Sequence, residues 1–241
     1  MELDVGRRSL NHDRAAFVAL RGADLAAPVP SCPEWNLGGL LAHVGVVHRF
    51  ARRSMNEPVD GGFPKATGPG NTPPAGEDVW DWLDTGLGDL IDDFASRDLE
   101  QTCWSWAGPA TGRWWLRRQV HETAIHRWDA EQAVGVESVV NGDRAADGID
   151  EWLALQVGRG WLPPDSLRGT IHLHATDGDG EWLLNLGDGL TWTTGHHKGD
   201  VAIRGGRADL ELLLWNRMTL DRFDTFGDDD LAARFLAALS A

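Results

Sequence analysis

An α+β protein is expected from this sequence: a helical bundle followed by a small mixed domain. Three observations carry that expectation. Apolar residues recur at steps of three and four as far as about residue 160. Beyond Pro163-Pro164 the repeat shortens to two, and the segments with that repeat are separated by Asp-Gly turns of the kind that close hairpins. The proline pair marks the expected boundary, giving domains at residues 1–162 and 163–241.

The first helix is expected from Glu2 to Leu25, with Leu10, Phe17 and Leu20 at helical spacing. Cys32-Pro33-Glu34-Trp35-Asn36 reads as a turn with Asn36 as N-cap, and Leu40, Leu41, Val44, Val47 and Phe50 then form one apolar stripe. The Pro- and Gly-rich residues 57–78 read as a long surface loop. A third helix spans Glu77 to Arg97 through Trp82, Leu83, Leu87, Leu90, Ile91 and Phe94. After the break at Ala107-Gly108-Pro109, a fourth runs from Arg113 to Ala133, with Gly135 as its stop signal. Four such helices joined by loops argue a four-helix bundle, and a shorter fifth, Asp143 to Val157, leads to the boundary. In the second part, strands are expected at 170–174, 181–186, 190–194 and 201–203. Helices follow at 208–217 and 231–239, with Asp228-Asp229-Asp230 at the favourable N-terminal end of the last.

Composition limits the partners. The 241 residues are 42% hydrophobic with 13 Trp, enough for a substantial core. The 37 acidic residues outnumber 22 basic ones, and a net charge of −15 argues against nucleic acid and against an anionic membrane surface. Two cysteines, Cys32 and Cys103, are too few for a disulfide framework or a four-cysteine metal cluster. The N-terminus has no apolar signal segment and no apolar run is long enough to span a bilayer, so a cytoplasmic protein is expected.

The fourth helix carries His121-Glu122-Thr123-Ala124-Ile125-His126-Arg127-Trp128-Asp129. Glu122 and His126 share a face one turn apart, with Asp129 one turn further, whereas His121 points about 140° away from His126. Ile125 occupies the place of the second His of an HExxH motif. A lone Glu-xxx-His suits a solvated hydrogen-bonded pair as well as a metal site. On the second helix, His43 falls on the apolar stripe and should point inward, either as a satisfied core histidine or as a ligand. Together the three would supply the two-histidine, one-carboxylate set of open catalytic metal sites. His48 lies about 140° off the stripe and ranks below His43. Asp129 reads either as a support for a ligand imidazole or as a carboxylate that is solvated or paired with Arg127 or Arg118. Cys32 and Cys103 read as packing residues, His196-His197 as exposed turn residues, and the tryptophans at 104, 106, 114 and 115 as core and loop packing.

The segment Val29-Pro30-Ser31-Cys32-Pro33-Glu34-Trp35, followed by Leu40-Leu41-Ala42-His43-Val44-Gly45, resembles the opening motif of the mycothiol-dependent maleylpyruvate isomerase family, within the DinB-like metal-binding bundles. The run from His121 to Ala130 resembles that family's second signature. The stretch from Gly205-Gly206-Arg207-Ala208-Asp209-Leu210 to Leu214-Trp215-Asn216-Arg217 is similar to its C-terminal domain. The resemblance implies a divalent metal, usually zinc, held by His43, Glu122 and His126. It also implies that Arg217 faces an active cleft between the domains and holds an anionic substrate or the thiol cofactor. Arg217 sits in Asn-Arg-Met rather than between the glycines of the isomerase proper, and an interdomain salt bridge is an equal reading.

A site of this kind suits thiol chemistry, because a coordinating thiol loses its proton and the thiolate is the nucleophile. The expected function is therefore metal-dependent use of a low-molecular-weight thiol, mycothiol, for transfer to or isomerisation of a small electrophile. The alternatives are a metal-dependent hydrolase and a metal- or ligand-binding protein without turnover.

Overall fold

The helical periodicity of the first half becomes four helices in the computed structural model, which describes residues 1–60, 73, 76–161, 163–164 and 166–239. Helix α1 (Leu3–Ala19) buries Leu10 and Phe17, α2 (Leu37–Ser54) buries Leu40, Leu41 and Val44, and α3 (Val79–Ser96) buries Trp82, Leu83, Leu87, Leu90 and Phe94. Helix α4 (Gly112–Ala133) completes the set; α1 and α2 each pack on both α3 and α4. The starts of α2, α3 and α4 are capped by side chains, as expected for α2, where Asn36 accepts a hydrogen bond from the Gly39 amide at 2.9 Å. Asp78 accepts from the Trp80 amide at 2.8 Å, so α3 begins two residues later than the periodicity suggests. Gly135, at φ 70°, ends α4 in the left-handed conformation that a glycine C-terminus favours. Helix α1 stops at Ala19 rather than Leu25, where a turn around Gly22, at φ 89°, takes the chain away.

Between α3 and α4 lies an unexpected two-strand hairpin, β1 (Thr102–Cys103) and β2 (Ala110–Thr111), too short for a period of two to register. Around it Trp104 and Trp115 are buried, Trp106 and Trp114 are partly buried, and all four join one apolar cluster with Leu87 and Phe94. The loop expected at residues 57–78 lies mostly outside the described residues.

The chain divides into two units, Met1–Val139 and Val140–Ala241. The boundary expected at residues 162 and 163 is thereby corrected, because helix α5 (Gly142–Gly158) belongs to the second unit. Its Ile149, Trp152 and Leu153 pack with the apolar face of the sheet. Arg144 and the fully buried Glu211 pair it to helix α6 (Arg207–Leu214) at 2.8 Å, and the Trp182 indole donates to Asp150 at 2.7 Å. The proline pair interrupts secondary structure inside this unit rather than separating domains.

The second unit holds a five-stranded mixed sheet in the order β5-β4-β3-β6-β7. Strands β3 (Gly169–Ala175), β4 (Glu181–Leu186), β5 (Leu190–Thr194) and β6 (Val201–Gly205) were legible from alternation, and β3 and β6 run parallel. Strand β7 (Asp224–Gly227) was not foreseen; it is a mostly exposed edge strand with no apolar alternation. Helices α6 (Arg207–Leu214) and α7 (Asp229–Leu239) cover one face, with the Asp228 carboxylate accepting from the Leu231 amide at 3.0 Å. Ile171, Leu173, Trp182, Leu184 and Ile203 fill that face, so the alternate residues of β3 and β4 point to the other. Among the described residues no helix is long and apolar enough to cross a membrane.

Helices α2 and α3 approach closely at Gly45, where an added methyl group would overlap the buried Trp82 ring, itself capped by the Arg49 guanidinium at 3.9 Å. Alanine is the better helix former by about 1 kcal/mol. A packed aromatic cannot yield easily, however, and overpacking costs about 1–3 kcal/mol. Gly45→Ala is therefore expected to lower the stability of the protein in urea denaturation, by up to about 2 kcal/mol net.

Candidate metal centre

Helix α4 carries a row of polar side chains on a face that is otherwise enclosed: Arg118, Glu122, His126 and Asp129. Their spacings of three and four residues place them one turn apart, as the sequence implies. Helix α2 packs against this face and brings His43 to it. One nitrogen from each imidazole and one Glu122 oxygen lie within 4.8 Å of one another. His126 Nε2 is 3.2 Å and His43 Nε2 3.6 Å from Glu122 Oε1. The two rings stand edge-on, 5.1 Å apart between centroids. The three residues picked out from the sequence thus converge, and none of the three is a solvated surface residue: His43 is half-buried, His126 buried, and the Glu122 side chain 16% exposed.

Asp129 stands behind His126. It is fully buried, with Oδ2 2.9 Å from His126 Nδ1, and its Oδ1 accepts from the Ser31 hydroxyl at 2.5 Å. The reading of Asp129 as a solvated carboxylate is displaced. Donation of Nδ1–H to Asp129 turns Nε2 toward Glu122 and His43. The other Glu122 oxygen takes the Arg118 guanidinium at 2.5 Å.

The loop ahead of α2 supplies two groups whose roles the sequence did not disclose. Backbone hydrogen bonds from Cys32 to the Val29 carbonyl (3.0 Å) and from Trp35 to the Cys32 carbonyl (2.8 Å) fold it tightly. That fold presents Ser31 to Asp129 and lays the Trp35 ring beside His43 and His126, at 4.6 and 6.0 Å between centroids. Their only signal was membership of the quoted loop motif. Cys32 itself packs against the apolar cluster of Val29 and Leu37, and Cys103 is buried in the other.

Electrostatics follow from this enclosure. Burial works against a charged Glu122, yet the Arg118 guanidinium and the neighbouring imidazoles hold its carboxyl well below the usual range. Burial also opposes a charged His126, but Asp129 and Glu122 outweigh it and hold the imidazolium up to about 9. His48, expected to face elsewhere, is fully buried with Nε2 3.0 Å from the Thr123 hydroxyl; His121 is buried too, and neither joins the trio. Arg217 is half-buried in the turn after α6 and donates to the Trp215 carbonyl at 2.6 Å.

Comparison with known proteins agrees with the two-part chain. Residues 8–131 match the mycothiol maleylpyruvate isomerase N-terminal domain, and residues 143–234 match the MDMPI C-terminal domain. Among solved structures, the chain is similar to the crystal structure of a histidine-to-alanine variant of a mycothiol-dependent maleylpyruvate isomerase. The TM-score is 0.65 and the identity 13%, over 93% of each chain, which is a likeness of fold. A search of curated proteins found no match.

Burial pushes the pKa of His48 down from 6.5 to about 3, the largest effect on it, with the nearby Glu122 charge only partly offsetting. The unfolded chain therefore binds a proton that the folded chain refuses. Stability is retained above about pH 6.5 and lost as pH falls toward 3, by up to about 1.4 kcal/mol per unit. In urea denaturation at about pH 7 and pH 5, His48→Gln is expected to lose roughly 1–2 kcal/mol less than the parent across that interval.

Proposed function

This chain belongs to the mycothiol maleylpyruvate isomerase family, and from that membership we propose a metal-dependent enzyme that uses a low-molecular-weight thiol, mycothiol, on a small electrophile. The observation that carries the proposal is the meeting of His43, Glu122 and His126 within 4.8 Å, with Asp129 braced behind His126. Two imidazoles and a carboxylate suit a divalent ion of zinc type and leave coordination positions open. His43, Glu122 and His126 would hold the ion. When bound, it supplies the positive charge that lowers a thiol from its ordinary pKa of about 8.5 into the thiolate range at neutral pH.

The chain's own residues have separate tasks. Asp129 aims the His126 imidazole by holding Nδ1, and Ser31 holds Asp129. Arg118 keeps Glu122 ionised although it is enclosed. Trp35 covers one side of both imidazoles and limits the access of water. Arg217 is assigned to the anionic end of the substrate or thiol, the role implied by the family resemblance. The thiolate sulfur adds to an electron-poor carbon of the substrate. In isomerisation the former double bond rotates and the sulfur leaves with its electron pair, whereas in transfer the adduct takes up a proton and stays. A cytoplasmic setting, where low-molecular-weight thiols stay reduced, fits two cysteines in the thiol form.

Metal analysis combined with conjugation assays on a panel of electrophiles tests the proposal. Product formation is expected to require added mycothiol; equal turnover without thiol would overturn the reading and favour hydrolysis. His126→Ala is expected to remove one equivalent of metal and the thiol-dependent activity. Asp129→Asn, which keeps the shape but weakens the hold on His126, is expected to lower metal affinity or activity about 10–100-fold. Its pH profile should change as well, an effect that a purely structural role for Asp129 would not produce.

A further inference from the structure

We propose that the second unit carries a metal site of its own, built from His172 and His174 of β3, Glu181 of β4 and His196 of the loop after β5, for a divalent transition metal. This set shares no residue with the trio on α2 and α4, and the proposal does not depend on the thiol reading.

The backbone assembles the cluster. Residues two apart on a strand share a face, so His172 and His174 project together, away from the Ile171 and Leu173 side. Antiparallel register sets Glu181 directly opposite His174, and the Gly195 amide donates to the Glu181 carbonyl at 3.1 Å, bringing His196 to the same end of the sheet. The four ligand atoms lie within 4.8 Å of one another. Glu181 sits at the centre: Oε1 is 3.0 Å from His174 Nδ1, and Oε2 is 3.0 Å from His196 Nδ1 and 3.6 Å from His172 Nε2. The rings stand edge-on to one another, with centroids 5.6–6.2 Å apart.

Hydrogen bonding alone leaves this arrangement incomplete. Glu181 can accept from His174 and His196 with one oxygen each. His172 is then left over: it is only 4% exposed, its Nε2 has no hydrogen-bond partner among the described residues, and 3.6 Å is beyond hydrogen-bond reach. A buried polar atom aimed at a carboxylate and two imidazoles calls for a group that satisfies all four at once. A cation does so after side-chain rotations of about 1 Å or less, drawing the donors to the roughly 2.0–2.2 Å of zinc-type bonds. Three nitrogens and one oxygen favour zinc, cobalt, nickel or copper over magnesium or calcium. Open depressions of about 680 and 550 Å³ border the cluster, the first at His174 and the second at His172, with His196 on the rim of both; they give an ion a path in. A filled site would clip the loop after β5 to β3 and β4.

The full chain, stripped with chelator, is titrated with Zn²⁺ by calorimetry and with Co²⁺ by visible absorption. The parent is expected to bind two equivalents. The doubly substituted His43→Ala/His126→Ala chain is expected to keep one, with a dissociation constant below about 10 μM and a four-coordinate cobalt spectrum. His174→Ala/His196→Ala, chosen because neither side chain is part of the core, should lose that equivalent and keep the other. A folded His174→Ala/His196→Ala chain that binds as much metal as the parent would overturn the proposal, as would a His43→Ala/His126→Ala chain that binds none. Should the α2–α4 reading fail instead, the parent would bind one equivalent that survives loss of His43 and His126 and disappears with His174 and His196. That result supports the sheet site.

Discussion

Burial of charge along α4 is the constraint on which the first unit depends. Taking an ion out of water costs several kcal/mol, and it persists only where a partner compensates. Every enclosed charge on this helix has one. Glu122 has Arg118 and two imidazoles, His126 has Asp129, and Arg127 has Asp13 of α1 at 2.8 Å and Glu131 at 2.6 Å. The Arg127 group holds α1 to α4 where the helices also share apolar contacts, and so it is structural. The Glu122–His126–Asp129 group instead stands against the half-buried His43 of α2.

The loop before α2 links that electrostatic row to the packing around it. Ser31 reaches Asp129 across nearly a hundred residues of chain, and Trp35 covers the two imidazoles. One short loop therefore both braces the carboxylate behind His126 and places a ring beside its imidazole. Asn36 starts the helix that carries His43, so displacement of the loop would move both.

The second unit uses a different device. One face of its sheet is committed to the core formed with α5, α6 and α7, and the opposite face is free to carry polar chemistry. There, strand register rather than helix spacing brings side chains together. Among the described residues the same carboxylate–imidazole vocabulary thus occurs twice, once across two helices and once across a hairpin.

Local features were readable because local rules govern them. Asn36 caps, Gly135 terminates, Asp-Gly turns close hairpins, and the spacing of Glu122 from His126 follows from helix geometry alone. The inward side of His43 was readable from the apolar stripe around it. Contacts between distant segments were not readable, because the period of an element says which of its faces is apolar but not which partner that face meets. Only packing decided that α5 covers the sheet, that Ser31 meets Asp129, that Asp224–Gly227 adds an edge strand, and that His196 joins His172, His174 and Glu181. Each of these depends on pairings across tens of residues, which burial and register select only once the whole chain is folded.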